Sequence, residues 1–590
     1  VTNDFGVGYS MAEQSANGER AARTAKPDDL SRFPQVIGLS ADVLVRHRAK
    51  ILNPSTAVPG ERGRRPDSTA YRSNTLLVPL STARDAAAIG RFNDKLVPLG
   101  VELVVHLPTT AGWREALERF SGDFPVPVLL HVRADAITER APDPWTVLST
   151  LRRTMKPEEV RGIGLEHIAL AASVGMDGQT FGGATPFGNG VPFGNGVPFG
   201  NGVPFGNGVG GGAIALGNGA RNAVRLFLPQ PHRREPTTLK SGRRPVVAVL
   251  DTGIGEHPWL SVGSRDKAQV VEADEVFARD LTSVPDPVVE VSFEFQALLS
   301  DLEETLTDET GGALPSLRSP FEERDVIQPL LGLTDSHAGH GTFVSGLVFQ
   351  KCPDARVLSL RVLHTDGVTT DGSVLTGLEW LRVRVQRALD ENRPEDLVDI
   401  VSISLGFYPE HHDETTGLKL AEAVRKLTDL GVVVVAAAGN DATRRPFIPA
   451  AMALNSDGSN SGNDLLIAVG ALNASGRTVA AFSNEGDWVT RWAPGNAVVS
   501  TVPLWQGPEE PDLELAVPGA LRRATLDPDD LTSGFAVWAG TSFATPVVAG
   551  MLAARLTELA DAKTVDERTA RAIQARDLCD EDLKQLGWRS

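Results

Sequence analysis

Seven consecutive apolar residues, Val432 to Ala438, leave a chain few choices. The run is far shorter than the roughly 18 apolar residues that a membrane span needs. It is rich in β-branched side chains and has no polar face to turn to water, so it reads as a strand buried on both sides. Leu465 to Leu472 and the run Val246 to Leu250 have the same character, and Ile400 to Leu405 and Ala355 to Leu363 are strand-like runs only briefly interrupted by Ser or Arg. Helical spacing appears between them, over Ser373 to Leu389 and Leu418 to Leu430. Continuous apolar strands alternating with helices predict an α/β fold, a mainly parallel sheet with helices on both faces.

Ligands gather at the carboxyl ends of the strands in such a sheet. Asp251 stands at one of those ends, just before Thr252-Gly253-Ile254-Gly255. His340, in Gly339-His340-Gly341-Thr342, precedes Val344, Leu347 and Val348 at helical spacing and so opens a helix. Ser542, in Gly540-Thr541-Ser542-Phe543-Ala544-Thr545-Pro546, opens a second apolar helix through Val547, Val548, Met551, Leu552 and Leu556. Free N–H groups and the positive dipole end at a helix start suit a nucleophile whose reaction develops an oxyanion. Taken singly, each residue also has an ordinary role. Asp251 fits a strand-end turn, His340 a helix-start hydrogen-bonder, Ser542 an N-cap and Asn440, between Gly439 and Asp441, a turn.

Taken together and in the order Asp, His, Ser, the three segments resemble those of the subtilisin-like serine proteases, the subtilases. The strand ending Ala438-Gly439-Asn440 resembles the one that carries that family's oxyanion asparagine. Ser402 to Gly406 resembles the strand lining its substrate channel, and Ala481-Phe482-Ser483-Asn484 through Ala493-Pro494-Gly495 a further family segment. The resemblance covers roughly residues 244 to 560. It implies a serine endopeptidase acting through an acyl-enzyme on Ser542, with His340 as general base, Asp251 orienting the imidazole and Asn440 binding the oxyanion. It also implies a polypeptide substrate held along Ser404, Leu405, Gly406, Ala438 and Gly439. Phe343 departs from the family, which usually has a second histidine there. The alternatives are a dedicated maturase or regulated protease for one partner peptide, and a non-catalytic subtilase-fold binding protein.

The net charge of −18 is unevenly placed, with fifteen Asp and Glu against three Arg between Glu272 and Leu330. This segment reads as an acidic insertion, either a solvated loop with a short amphipathic helix or an attractor of basic substrates. Nucleic acid is a poor partner for such a chain, and no apolar run implies a membrane span. Cys352 and Cys579, the two cysteines, exclude a disulfide framework but not one bridge. Sparse cysteine and a start that does not resemble a secretory signal point to the cytoplasm, with secretion as the alternative. No metal ligands are nominated and no cofactor is required; structural calcium, common in the family, stays unassigned.

The expected organisation begins with a polar mobile arm over 1–70. A small α/β domain follows over 71–175. Its order of strands and helices suggests βαββαβ, the ferredoxin-like pattern. Subtilase prosegments share that topology, so the domain is either an intramolecular chaperone and inhibitor or a regulatory or partner-binding domain. A Gly-rich linker with Val-Pro-Phe-Gly-Asn-Gly repeats spans 176–240, and removal of an inhibitor is expected to cut between about 174 and 240. The peptidase domain covers 241–562 with insertions near 272–330 and 505–533, and 563–590 is a terminal helix and tail.

Overall fold

The computed structural model describes residues 39, 41–60, 63–136, 143–173, 221–266, 281–306, 317–323, 326–328, 333–411, 419–453, 462–505, 514–515, 523–524 and 531–588. The repeats, most of the 505–533 insertion and the first 38 residues lie outside them.

The small N-terminal domain contains β1 (Ala70–Pro79), α1 (Ala86–Leu96), β2 (Val101–Val104), α2 (Ala111–Arg119), β3 (Pro125–Val132), α3 (Pro144–Thr154) and β4 (Gly164–Ala171). Its strands lie in the order β4-β1-β3-β2, each pair antiparallel. Side-chain caps start its helices. Asp85, Thr110 and Asp143 each accept a backbone N–H of the first turn. The polar arm expected over 1–70 is ordered in its last part. Ala49–Ile51 adds an edge strand to β1, and His47 and Leu52 are buried.

The peptidase body is built on eight parallel strands: β5 (Val246–Asp251), β6 (Val262–Ser264), β7 (Val289–Val291), β8 (Arg356–Arg361), β10 (Ile400–Ile403), β12 (Val433–Ala437), β13 (Leu466–Leu472) and β14 (Arg491–Pro494). Their order is β14-β13-β12-β10-β5-β8-β7-β6. Every residue of β5, β10, β12 and β13 is buried, as their nearly continuous apolar runs require. The covering helices are α4 (Phe293–Glu304), α5 (His340–Lys351), α6 (Asp371–Asp390), α7 (Lys419–Thr428), α8 (Thr541–Thr557) and α9 (Val565–Gln585). Two short strands stand outside this sheet, β9 (Val368–Thr370) and β11 (Leu405–Gly406).

Two expectations change. The acidic insertion is no mere surface loop: it supplies β7 at one side of the sheet and α4, whose Leu298, Leu299 and Leu302 are buried. Residues 221–240, assigned to the linker from the sequence, include side chains that pack on the larger body. Arg221 is fully buried over the Trp538 ring, and Arg233 and Arg234 bond to Pro353 and Asp354. Cys352 and Cys579 are both free, and burial pushes their thiols up to about 12. No helix among the described residues is long and apolar enough to cross a membrane.

β4 joins the two parts. It pairs antiparallel with β9, Val368 to Thr370 opposite Leu170 to Ile168, and with β11, Leu405 and Gly406 opposite Ala171 and Leu170. The sheet of the N-terminal domain therefore runs on into the peptidase body.

Candidate active site

Asp251 is the last residue of β5 and His340 the first of α5. The histidine's position rests on Gly339, whose φ of 86° is left-handed and favours glycine. His340 Nδ1 donates to Asp251 Oδ1 at 2.6 Å, and both side chains are fully buried. The same oxygen accepts the Thr252 N–H at 2.8 Å. This bond fixes the ring's orientation and leaves Nε2 free of any partner among the described residues. Trp538 and Phe543 pack against the ring, and Phe343 fills the space beside both. The departure at Phe343 thus makes the wall of the site apolar.

Ser542 lies in the first turn of α8. Pro546 sits four residues on and has no N–H to offer the Ser542 carbonyl. Ser404 Oγ donates to that carbonyl instead, at 2.9 Å. In return the Ser542 hydroxyl donates to the Ser404 carbonyl, also at 2.9 Å. Aspartate and histidine are therefore bonded, whereas the serine hydroxyl is turned to Ser404 rather than to the imidazole.

Asn440 follows β12. Its Oδ1 accepts the Thr541 N–H at 2.9 Å and the Thr541 hydroxyl at 3.0 Å. The amide is thereby oriented, and its Nδ2 is buried without a partner among the described residues. Asn484, in a segment singled out by the sequence, clamps this loop by accepting the N–H groups of Asp441 and Thr443 and donating to the Ala438 carbonyl.

A strand lies across the site. The N–H of Ala172 donates to the Ser404 carbonyl at 2.9 Å, and the Ala171 N–H to that of Gly367 at 2.8 Å. The Ala172 carbonyl accepts the Ser542 N–H at 2.8 Å. Ser404, Leu405 and Gly406 form one side of this channel. Ala438 and Gly439 do not pair with the strand; their backbone groups bond to Val469, Asn484 and Thr541. The opposite side is Gly367 to Thr370, which the sequence reading missed. Its signal was a turn glycine and three β-branched residues ahead of a helix.

Glu322, from the acidic insertion, was also missed. It accepts the Thr252 hydroxyl and the Gly341 N–H (3.0 Å) on one oxygen and the Thr342 hydroxyl (2.6 Å) on the other. It thus ties the residue after Asp251 to the two after His340. Burial, and then the charge of Asp251, push its carboxyl up to about 7. Among the described residues no group of three or more His, Cys, Asp or Glu is arranged to hold a metal ion.

Comparison with known proteins gives one family match, to the model described as Subtilase family, over residues 242–581. Serine protease AprX of Bacillus subtilis (strain 168) is 29% identical over 250 residues, 38% of this chain and 49% of the relative. Subtilisin DY of Bacillus licheniformis is 31% identical over 174 residues, 28% and 54% of the two chains. Minor extracellular protease Epr of Bacillus subtilis (strain 168) is 32% identical over 174 residues, 28% and 22%. The chain spans about half the length of the first two relatives.

Proposed function

The chain belongs to the subtilase family, since the family match covers more than half of it, and on that premise we propose that it is a serine endopeptidase whose own N-terminal domain is its first substrate and its inhibitor. The reading is carried by one observation: the carbonyl of Ala172 rests on the Ser542 N–H while its amide pairs with Ser404. That is the pose of a peptide whose bond to Ser173 is to be cut.

Each residue then has a role. Rotation about the Ser542 Cα–Cβ bond releases the hydroxyl from Ser404 and brings it toward the unpartnered His340 Nε2. The hydroxyl attacks the carbonyl carbon as Nε2 takes its proton, and Asp251 stabilises the imidazolium. Negative charge collects on the carbonyl oxygen, where the Ser542 N–H and the Asn440 Nδ2 can meet it. The imidazolium then protonates the leaving Ser173 nitrogen, giving an acyl-enzyme that water hydrolyses by the reverse roles. The antiparallel order β4-β1-β3-β2 agrees with a ferredoxin-like prosegment. The cut falls just upstream of the window expected from the linker.

A serine-directed phosphonate should label Ser542 in the full chain, and Ser542→Ala should abolish labelling. Intact mass of the purified protein should show scission between Ala172 and Ser173 that the alanine variant lacks. Undiminished proteolysis by that variant would refute the assignment and favour a non-catalytic fold.

A further inference from the structure

The stretch that enters the channel, Ile168-Ala169-Leu170-Ala171-Ala172, has no polar side chain. Its backbone ladder to β9 and β11 is indifferent to sequence. The first side chain upstream that carries chemical identity is His167, the sixth residue before the Ala172–Ser173 bond when Ala172 is counted as the first. It shares the strand face of Ala169 and Ala171.

The imidazole of His167 is held entirely by the peptidase body. Nδ1 lies 2.9 Å from Asp371 Oδ2, at the start of α6, and Nε2 lies 2.8 Å from Glu410 Oε2. Asp371 Oδ1 also accepts the His167 backbone N–H at 3.0 Å. The ring stacks on Phe407 with centroids 4.4 Å apart and planes 12° off parallel. All three polar side chains are under a tenth exposed. A carboxylate on each nitrogen requires both nitrogens to donate, so the ring is an imidazolium. Once the strand leaves, two carboxylates converge on a site that has lost the imidazolium between them.

We propose that Asp371, Glu410 and Phe407 form a cation-selecting subsite of the channel, so that this enzyme favours polypeptides with a planar cation, arginine or protonated histidine, six residues before the cut. The inference rests on the endopeptidase reading above and names its substrate class. The flat guanidinium can bridge two carboxylates and lie on an aromatic face as the imidazolium does.

The charges around the ring support this. Burial alone would lower the histidine, yet Glu410 and Asp371 carry it up to about 10. His167 in turn holds Glu410 down to about 2. The other charged groups that act on this cluster are Glu166 on the same strand, itself paired with Arg72, and Arg152 and Arg445, each of which interacts with Glu410. A free histidine titrates near 6.5, so binding through histidine weakens as pH rises from 6.5 toward 10, while burial, which carries the Asp371 carboxyl up to about 6, bounds the window on the acid side. Arginine keeps its charge throughout.

The test uses the full chain after self-cutting and quenched-fluorescent peptides of sequence Glu-X-Ile-Ala-Leu-Ala-Ala-Ser-Val-Gly, with X as Arg, His, Ala or Glu. At pH 6 we expect kcat/KM for Arg and His to exceed that for Ala by about tenfold or more, with Glu poorest. The Arg-to-His ratio should rise severalfold from pH 6 to 8.5, a comparison from which His340 cancels. In Glu410→Gln and in Asp371→Asn the Arg-to-Ala ratio should shrink below about threefold. A second reading uses self-cutting of the full chain with His167→Arg, His167→Ala and His167→Glu, expected to slow in that order. Equal turnover of Arg and Ala peptides by a protein that the phosphonate labels would overturn the subsite and leave the endopeptidase standing. Absence of both labelling and turnover would sink both.

Discussion

Glu322→Gln isolates the energetics of a charge held beside Asp251. In the unfolded chain this carboxyl ionises near 4.5; in the fold burial and Asp251 carry it up to about 7. Between those values the folded protein holds a proton that the unfolded chain has released, so stability falls as pH rises through the window. The loss is complete above pH 7 and amounts to about 3 kcal/mol. Glutamine has no such titration. The stability of Glu322→Gln relative to its parent should therefore climb by about 3 kcal/mol from pH 4.5 to pH 8. Urea unfolding followed by tryptophan fluorescence measures the difference, with Ser542→Ala in both proteins to prevent self-digestion. A difference that is flat across this range, within about 0.5 kcal/mol, would refute the reasoning. With Ser542 restored, the same variant should be slower, because glutamine cannot accept from the hydroxyls of Thr252 and Thr342 and the Gly341 N–H all at once. A charge that destabilises the fold yet braces both shoulders of the Asp251–His340 pair is what a trade between stability and activity produces.

Two further outcomes follow from the same geometry. A Cβ at Gly341 would stand 2.2 Å from the Gly253 carbonyl oxygen, so Gly341→Ala must part the loops bearing Asp251 and His340; a misplacement of about 1 Å costs on the order of a hundredfold in kcat/KM, and activity within threefold of the parent would contradict this. Asp399 accepts from Arg243 (2.7 and 2.8 Å), Arg571 (3.2 Å) and the Val246 N–H (2.9 Å), so Asp399→Ala strands buried guanidinium groups and should destabilise by about 3–5 kcal/mol; a urea-measured loss under about 1 kcal/mol would count against that.

The peptidase fold was legible because its central strands are buried on both faces, which forces runs such as Val432 to Ala438 to be apolar throughout. Asp251, His340, Asn440 and Ser542 were legible because each sits at a strand end or helix start marked by glycine. Glu322 was not, since fifteen acidic residues crowd its segment and only the tertiary fold decides which of them are buried and what each one holds. Gly367 to Thr370 is too short for periodicity to register. Asp371 reads as an ordinary acid at a helix start. The pairing of Ile168 with Thr370 joins residues some two hundred positions apart, and no local pattern encodes it.

That distant pairing also bears on how such an enzyme could choose its substrates. β4 completes the N-terminal sheet through β1 and at the same time extends into the channel between β9 and β11. Binding by strand addition draws on N–H and C=O groups that every polypeptide offers, so the ladder sets orientation and register but cannot discriminate. Discrimination must come from side-chain sites along the strand. Ala169 and Ala171 present little more than a methyl group on the face turned to the peptidase body, whereas His167 presents a cation between two carboxylates. If the ladder governs affinity and the Asp371–Glu410 pair governs choice, the two separate by experiment. Substituting the upstream residue should change kcat/KM among peptides of equal length, and a peptide shortened to begin at Ile168 should be cut no faster than the one with alanine in place of His167. A shortened peptide cut as fast as the arginine peptide would place selection elsewhere in the channel.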